Sequence, residues 1–154
     1  MAHLRTQIFA AYRDQLAAIP GFSEQGKVAR GRKGPIPEGK LPALTLSWAD
    51  GEERATIRAF AGANGEDGYD RDLPFTVIVH LRDDDPEEEF DALCVLIEAA
   101  MGAAVQLPGL TIETTLVSSR HYVNHQTGLS LLVGSLTYSA RYKTLAADPE
   151  TAAL

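Results

Sequence analysis

Apolar residues recur at helical spacing near the start of the chain and again in its second half. The first stripe contains Leu4, Ile8, Phe9, Tyr12, Leu16 and Ile19. The second contains Phe90, Leu93, Cys94, Ile97, Ala100, Met101 and Ala104. This spacing predicts amphipathic helices over 3–19 and from 86 to 104. Each helix needs an apolar surface to cover, because an isolated helix of this length is marginal in water.

Alternating apolar and polar positions predict strands between and after the helices. The clearest alternation covers 73–82, where one face receives Phe75, Val77, Val79 and Leu81, and the wetter face receives Thr76, Ile78, His80 and Arg82. Further strands are predicted over 43–48, 54–60, 110–118 and 129–145. Near its start, the last of these is apolar on both faces, which predicts cover on both sides.

These elements predict one domain over 1–145 and a flexible C-terminal tail over 146–154. Segments 62–72 and 119–128 are predicted as polar, turn-rich loops. The economical arrangement is an α+β fold, with a mostly antiparallel sheet of about 4–5 strands and both helices packed on one of its faces.

The junction between strand 73–82 and the second helix combines a helix start with dense negative charge. Asp85 is predicted as the N-cap, with Pro86 at the first helical position and Glu88 placed as in a capping box. Seven carboxylates lie over 83–91 with no cation among them. Four of them are not needed for capping: Asp83, Asp84, Glu89 and Asp91. They form either a solvated surface or a charged subunit contact.

Segment 27–40 is rich in glycine, proline and positive charge, and it is predicted as a mainly irregular loop with a strand possible around Val28. Its five cations are Lys27, Arg30, Arg32, Lys33 and Lys40. Glu38 is its one acid, which makes the local charge +4. Long loops in compact domains are often functional or order on binding. Residues 31–34 have glycines but lack the preceding strand and following helix of a phosphate loop. The two remaining interpretations of the segment are a solvated loop and a loop that contacts a partner.

Candidate catalytic and metal-binding residues are few and scattered. Cys94 lies on the apolar helix face, which indicates a buried small hydrophobe more than a nucleophile. His80 has no orienting carboxylate or pocket predicted beside it. His121 and His125 are too few to hold zinc. We therefore expect no catalytic residue, no cofactor and no metal site, and a protein that is not an enzyme.

Composition narrows the function classes further. Apolar residues make up 45% of the chain, and the net charge of −7 disfavours a general nucleic-acid binder. One cysteine excludes an internal disulfide and suits an intracellular protein. No apolar run approaches the roughly 18 residues of a membrane span, and no secretion signal is recognisable, so the mature chain is expected to start near Met1. A nucleic-acid-binding module with aromatic residues on the sheet face is an alternative class.

Four stretches resemble the tail terminators of tailed phages, also called minor tail or tail-completion proteins, of the lambda-type terminator group. They are the opening helix Leu4–Ile8, the strand Leu41–Leu46, the strand-to-helix segment Phe75–Ala104 and the closing strand Gly134–Tyr142. The resemblance covers roughly residues 3–145. It carries no catalytic motif to any position of this chain.

The resemblance implies a structural virion protein, assembled in the host cytoplasm and located at the neck end of the tail. It implies a homohexameric ring that stops polymerisation of the tail tube and offers a surface for head joining. The implied partners are copies of the chain, the tail tube protein and head-completion or neck proteins. DNA passes through the lumen of such a ring without specific binding. Another neck or head–tail joining protein is the nearest alternative.

Ring contacts are head-to-tail, so two different patches of one subunit meet. The basic segment and the acidic run offer such a pair, and electrostatic matching would set their register. The candidate subunit or tube contact residues are Lys27, Arg30, Arg32, Lys33, Lys40, Asp83, Asp84, Glu89 and Asp91. Reversing the charge of Arg30, Arg32 and Lys33 together is expected to impair assembly and leave the fold intact.

Overall fold

The computed structural model describes residues 2–32, 34–49, 52–124 and 130–153. Its elements are α1 (Leu4–Ala17), β1 (Val28–Arg30), β2 (Ala43–Trp48), β3 (Arg54–Arg58), β4 (Gly68–Asp83), α2 (Pro86–Ala103), β5 (Glu113–Asn124) and β6 (Ser130–Leu145). A short 3-10 helix, Glu38–Lys40, precedes β2. The predicted α+β class is confirmed. The sheet has six strands, because the short β1 and β3 add to its edges.

Strand β4 organises the sheet, whose order is β1-β2-β4-β6-β5. Along one side, β4 pairs first with β3 and then with β2, and along the other side it pairs over its full length with β6. All of these pairings are antiparallel, and only β1 and β2 are parallel. Among the described residues, strands β1, β3 and β5 each pair with one strand, so each has an edge open to further pairing there.

Both helices cover the same face of the sheet. The Phe75 ring of β4 stacks on Tyr12 of α1, with ring centroids 4.9 Å apart, and on Tyr138 of β6 at 5.6 Å. Phe90 of α2 lies so close to Gly134 of β6 that a Cβ there would be 2.2 Å from the ring. Tyr138 and Gly134 share one face of β6, because residues four apart in a strand point the same way. The core therefore lies between this face and the two helices.

Two segments predicted as loops are partly strand. β4 begins at Gly68, inside predicted loop 62–72, and β5 continues to Asn124, inside predicted loop 119–128. Both segments are polar, which favours a loop locally, but each pairs with β6 along its length. Tertiary pairing therefore overrides local propensity here. The rest of the second loop, including His125, lies outside the described residues.

Residues 146–153 belong to the segment predicted as a flexible tail, and they lie against the domain. The carbonyl of Pro149 accepts from the Leu4 N–H at 2.9 Å, which supplies an acceptor to the start of α1. Ala152 forms a bridge with Thr144, and Ala153 is buried. None of the described helices is both long and apolar enough to cross a bilayer.

Candidate functional site

The sheet face opposite the helices carries a groove of about 680 Å³. Its floor consists of outward-facing residues of β2, β4 and β6, and the described residues of segment 31–41 form its other side. The apolar lining residues are Ile36, Leu41, Ile78, Leu131 and Val133. Arg32, Glu38, Thr45, His80 and Arg82 are the polar lining residues that make side-chain hydrogen bonds within it. The groove is open to solvent, and we call it the outer groove.

Strand alternation builds the floor. The residues of β4 that face away from the helices meet their counterparts on β6: His80 pairs with Val133, and Arg82 pairs with Leu131. Tyr122 of β5 pairs with Val133 on its other side and is 68% exposed, so it extends the apolar surface past the groove. The start of β6, predicted to be covered on both faces, is thus covered by helices on one face and left partly open on the other.

Arg32 ties segment 31–41 to the sheet. Its Nε donates to Thr45 Oγ1 at 2.7 Å, and its Nη2 donates to the Leu44 carbonyl at 2.8 Å. Thr45 Oγ1 also lies 3.2 Å from His80 Nε2. Burial, with the Arg32 charge adding to it, lowers the pKa of His80, so the imidazole is neutral near pH 7. Arg32 therefore holds part of the groove wall in place.

Arg82 links the two sides of the groove. Its Nη1 donates to Glu38 Oε1 at 2.9 Å, and the Glu38 side chain is 72% exposed. Such an exposed ion pair contributes little to stability, about 0–1 kcal/mol. Arg82 Nε is shielded from solvent and has no hydrogen-bond partner among the described residues. Arg82 is therefore a groove cation whose charge is already paired with Glu38 and whose Nε is not accessible from solvent.

The candidate cations of segment 27–40 are mostly engaged with their own chain. The Lys27 Nζ lies 5.4 Å from the Phe22 ring centroid, and the Arg30 guanidinium lies 4.5 Å from that of Phe9. Lys40 forms an ion pair with Glu24. Of these candidates, the structure brings Arg32 to the groove, while Lys33 lies outside the described residues. The segment is also not irregular throughout, because β1 pairs with β2.

The acidic run over 83–91 divides into capping and uncommitted carboxylates. Asp85 Oδ1 accepts from the Glu88 N–H at 3.3 Å with Pro86 at the helix start, which confirms the predicted N-cap. Asp83 Oδ1 accepts from the Asp85 N–H at 3.0 Å. The remaining candidates differ in exposure: Asp84 and Asp91 are exposed, and Glu89 is half-buried. No ion pair between described residues involves the run, so its charge is uncompensated there.

The structure also exposes large apolar residues that sequence periodicity does not single out. Phe60, in the turn between β3 and β4, is 81% exposed, and Ile57 on β3 is 63% exposed. Val117, where β5 bulges, is 63% exposed. A phenylalanine beside a glycine-rich turn is the signal that would have found Phe60. Alternation alone cannot show which strand faces stay uncovered.

The structure places Cys94 against the core and His121 on a strand. Cys94 is half-buried against the core, and burial raises the pKa of its thiol to about 11, with nearby Glu98 adding to the effect. The thiol is therefore protonated near neutral pH and is a weak nucleophile. His121 lies on strand β5 and not in a loop, and its ring contacts that of Phe90 at 6.0 Å between centroids.

Comparisons with protein families, curated proteins and solved structures give different results. No protein-family model matches this chain. No curated protein matches it either. Among solved structures, the chain is similar to a chain from the virion of a native gene transfer agent particle, with a TM-score of 0.38 and 18% sequence identity, over 92% of both chains.

Proposed function

We propose that this chain is a structural tail terminator and not an enzyme. It forms a homohexameric ring at the neck end of a tail tube, ends tube polymerisation and presents the surface for head joining. Its partners are further copies of itself, the tube protein and head-completion proteins. The sequence resemblance over roughly residues 3–145 motivates this proposal, and the open outer face of the sheet is the structural observation that supports it most.

The outer groove is the surface that a neighbouring subunit would bury. Ile78, Leu131 and Val133 meet there without a covering layer from the described chain, and Val133 is 37% exposed. Removing such apolar surface from water favours association. Apolar surface that is contiguous and rimmed by polar residues is typical of interaction sites. Tyr122 extends this surface, and exposed aromatic residues are enriched at the centres of interfaces.

The edge strand β5 suits a closed assembly better than an open one. An exposed edge of 12 residues is a template for pairing with another chain. The register shift between Leu116 and Ser118 interrupts that template, and a bulge twists the strand locally. Edge-to-edge growth of the sheet is thereby disfavoured. Contacts through the outer face are compatible with a ring of limited size.

Charge supports the same proposal. The net charge of −7 and the uncompensated run over 83–91 keep free subunits apart at low concentration. An acidic surface also repels phosphates, which suits a ring that DNA crosses without binding. Asp84 and Asp91 are the exposed candidates for such a surface. Arg32 lies in the groove without an ion-pair partner among the described residues and offers the opposite charge to a partner, while Arg82 is already paired with Glu38.

Light scattering coupled to size-exclusion chromatography, at several concentrations and with purified tail tubes, tests the proposal. We expect ring-sized particles, or one ring on a tube end that no longer elongates in negative-stain images. A protein that stays monomeric and never binds tubes would rule the proposal out. Electron micrographs of particles made without the protein distinguish a terminator from a head–tail joining protein. Over-long tails indicate a terminator, and full heads detached from tails of normal length indicate a joining protein.

A further inference from the structure

We propose that Phe60 anchors subunit assembly by inserting into the outer groove of a second copy of this chain. The anchor loop, residues 59–67, joins β3 to β4. This inference rests on the proposed ring and names the contact that would build it. The contact is head-to-tail, because the anchor and the groove are different surfaces of the same subunit.

The exposure and the backbone conformation of Phe60 are both unfavourable for an isolated subunit. At 81% exposure it is the most exposed large apolar residue in the described part of the chain. Its φ is +55°, in the left-handed region that bulky residues avoid. The exposed ring leaves apolar surface in water, and the positive φ strains the backbone. Both raise the free energy of the isolated subunit, and such strain is commonly retained where function needs it. Burial of the ring against a partner would offset that cost.

The anchor loop is held in shape before any partner binds. The Phe60 N–H donates to Asp67 Oδ1 at 3.4 Å. The Gly62 N–H donates to the Glu66 carbonyl at 2.9 Å, and the Asn64 N–H donates to Glu66 Oε2 at 2.9 Å. A loop with its shape already set loses little conformational entropy on binding, which favours affinity.

Close contacts with the sheet fix the base of the same loop. A Cβ at Gly62 would lie 2.1 Å from Glu66 Oε2, so no side chain fits there without a shift. A Cβ at Gly68 would lie 2.6 Å from the Ala61 Cβ and 2.7 Å from the Thr144 carbonyl oxygen. Ala61 itself is buried. The loop therefore projects Phe60 from a fixed base on β6.

The outer groove has room for an aromatic side chain, and Arg32 gives it a charge opposite to that of the carboxylates in the anchor loop. Its volume of about 680 Å³ has room for an aromatic side chain, and its lining is apolar around Ile78 and Val133. Glu66 and Asp67 belong to the same loop as Phe60, while Arg32 lines the groove and Arg82 lines it as the ion-pair partner of Glu38. Carboxylates beside the inserted ring would reach cations in the groove, which favours correct register.

The anchor cannot occupy the groove of its own subunit. Gly68 and His80 mark the two ends along β4, and twelve residues of strand separate them by about 40 Å. The turn at 59–67 is too short to span that distance. Insertion therefore requires a second copy, and repeated head-to-tail contacts give a ring when the rotation between subunits closes. Tyr122 is less suited as the anchor, because it lies next to Val133 at the side of the groove.

The first test removes the anchor without harming the fold. Glycine tolerates positive φ, so Phe60→Gly is expected to keep the circular dichroism spectrum and a Tm equal to or above that of the wild type. Loss of a central aromatic anchor is expected to weaken self-association by about 30-fold or more in sedimentation or light-scattering titrations. Ala63→Asn, in the same loop, is the matched control and should assemble like the wild type.

The second test blocks the groove. Val133→Glu places a carboxylate on the apolar floor and is expected to leave a folded monomer. Ser135→Glu is its control, because Ser135 lies on the same face of β6 and outside the groove lining. Tyr122→Ser is a second groove-side variant at a site that is largely exposed, so it is expected to fold and to assemble less well.

Mixing the two variants gives the sharpest outcome. A Phe60→Gly subunit keeps an intact groove, and a Val133→Glu subunit keeps an intact anchor. An equimolar mixture is therefore expected to form heterodimers and nothing larger, although each variant alone stays monomeric. A mixture that stays monomeric, or a Phe60→Gly protein that assembles like the wild type, overturns the inference.

Further outcomes separate this inference from the proposed function. If Phe60→Gly still forms rings and only loses tube binding, the anchor serves the tube protein and the inference is wrong. If the wild type forms rings that end tube growth and the mixture shows no heterodimer, the terminator proposal stands and the anchor inference falls. If the wild type neither assembles nor binds tubes, both fail.

Discussion

The two faces of one sheet differ in what covers them. On the helix-covered face, Phe75, Val77 and Tyr138 are buried by α1, α2 and one another. On the outer face, the alternate residues of the same strands, such as Ile78 and Val133, remain partly exposed around a groove. Alternate residues of a strand point to opposite faces. One residue therefore contributes to the stability of the subunit, while its neighbour is available for association between subunits. Substitutions one residue apart can therefore test the two roles independently.

The largest expected loss of stability comes from the covered face. Phe75→Ala removes the ring that stacks on both Tyr12 and Tyr138, and it should lower the free energy of unfolding by about 3–5 kcal/mol. Thr76→Ala, one residue further and on the outer face, should change it by less than about 1 kcal/mol. Urea denaturation of both variants measures the difference. Equal losses would contradict the division into two faces.

A glycine pair tests how tightly α2 lies on the covered face. Gly134→Ala places a Cβ 2.2 Å from the Phe90 ring and should destabilise the domain by about 1–3 kcal/mol. Gly102→Ala, in α2 with nothing within 4 Å of its Cβ, should stabilise by up to about 1 kcal/mol. Thermal unfolding compares the two. A neutral Gly134→Ala would show that α2 can move away from β6 at little cost.

Substitutions in the acidic run can separate the carboxylate that caps α2 from the exposed carboxylates beside it. Asp85→Ala removes the N-cap of α2 and should cost about 1 kcal/mol of stability. Asp84→Ala, at the exposed neighbour, should change stability by no more than about 0.5 kcal/mol. The double variant Asp84→Ala with Asp91→Ala should leave stability unchanged and alter assembly and its salt dependence. If assembly is unaffected, these carboxylates are solvated and not a contact surface.

The smallest expected effect is a pH dependence at the groove. The folded-state pKa of His80 is lowered from 6.5, so its contribution to stability is present above the unfolded-state pKa and decreases as the pH falls below it. His80→Gln should therefore lose less stability than the wild type between about pH 7.5 and 5. His3→Gln is a second variant of the same kind, since the pKa of His3 is also lowered, and it should likewise lose less stability than the wild type as the pH falls. An unchanged pH profile in His80→Gln would show that His80 does not contribute.

Local patterns account for the parts of the fold that were predictable. The stripe from Leu4 to Leu16, the alternation over 73–82 and the cap at Asp85 each depend on residues close in sequence, and each is confirmed. The start of β4 at Gly68 and the end of β5 at Asn124 were not predictable in this way. Both depend on pairing with β6, and composition carries no information about a distant partner strand.

Part of the candidate site was predictable from local patterns, and part of it depends on tertiary contacts. Alternation placed His80 and Arg82 on the wetter face, but the groove also needs segment 31–41, which reaches that face through Arg32 and Glu38. The expectation that Arg30, Arg32 and Lys33 can be reversed together without harm to the fold stays a prediction. Arg32 is the position where it is most severely tested, because Arg32 donates to Thr45 Oγ1 and to the Leu44 carbonyl. The part played by the other candidate contact residues stays a prediction.

The sequence by itself determined the two helical stripes, the strand alternation and the α+β class, because these follow from side-chain periodicity over a few turns or pleats. Only the tertiary structure decided which sheet face stays open, where segment 31–41 crosses it and how far Phe60 projects. Those features depend on contacts between residues distant along the chain, such as Arg32 with Thr45 and Gly68 with Thr144. Covering a surface is a property of the whole chain, and no local pattern encodes it.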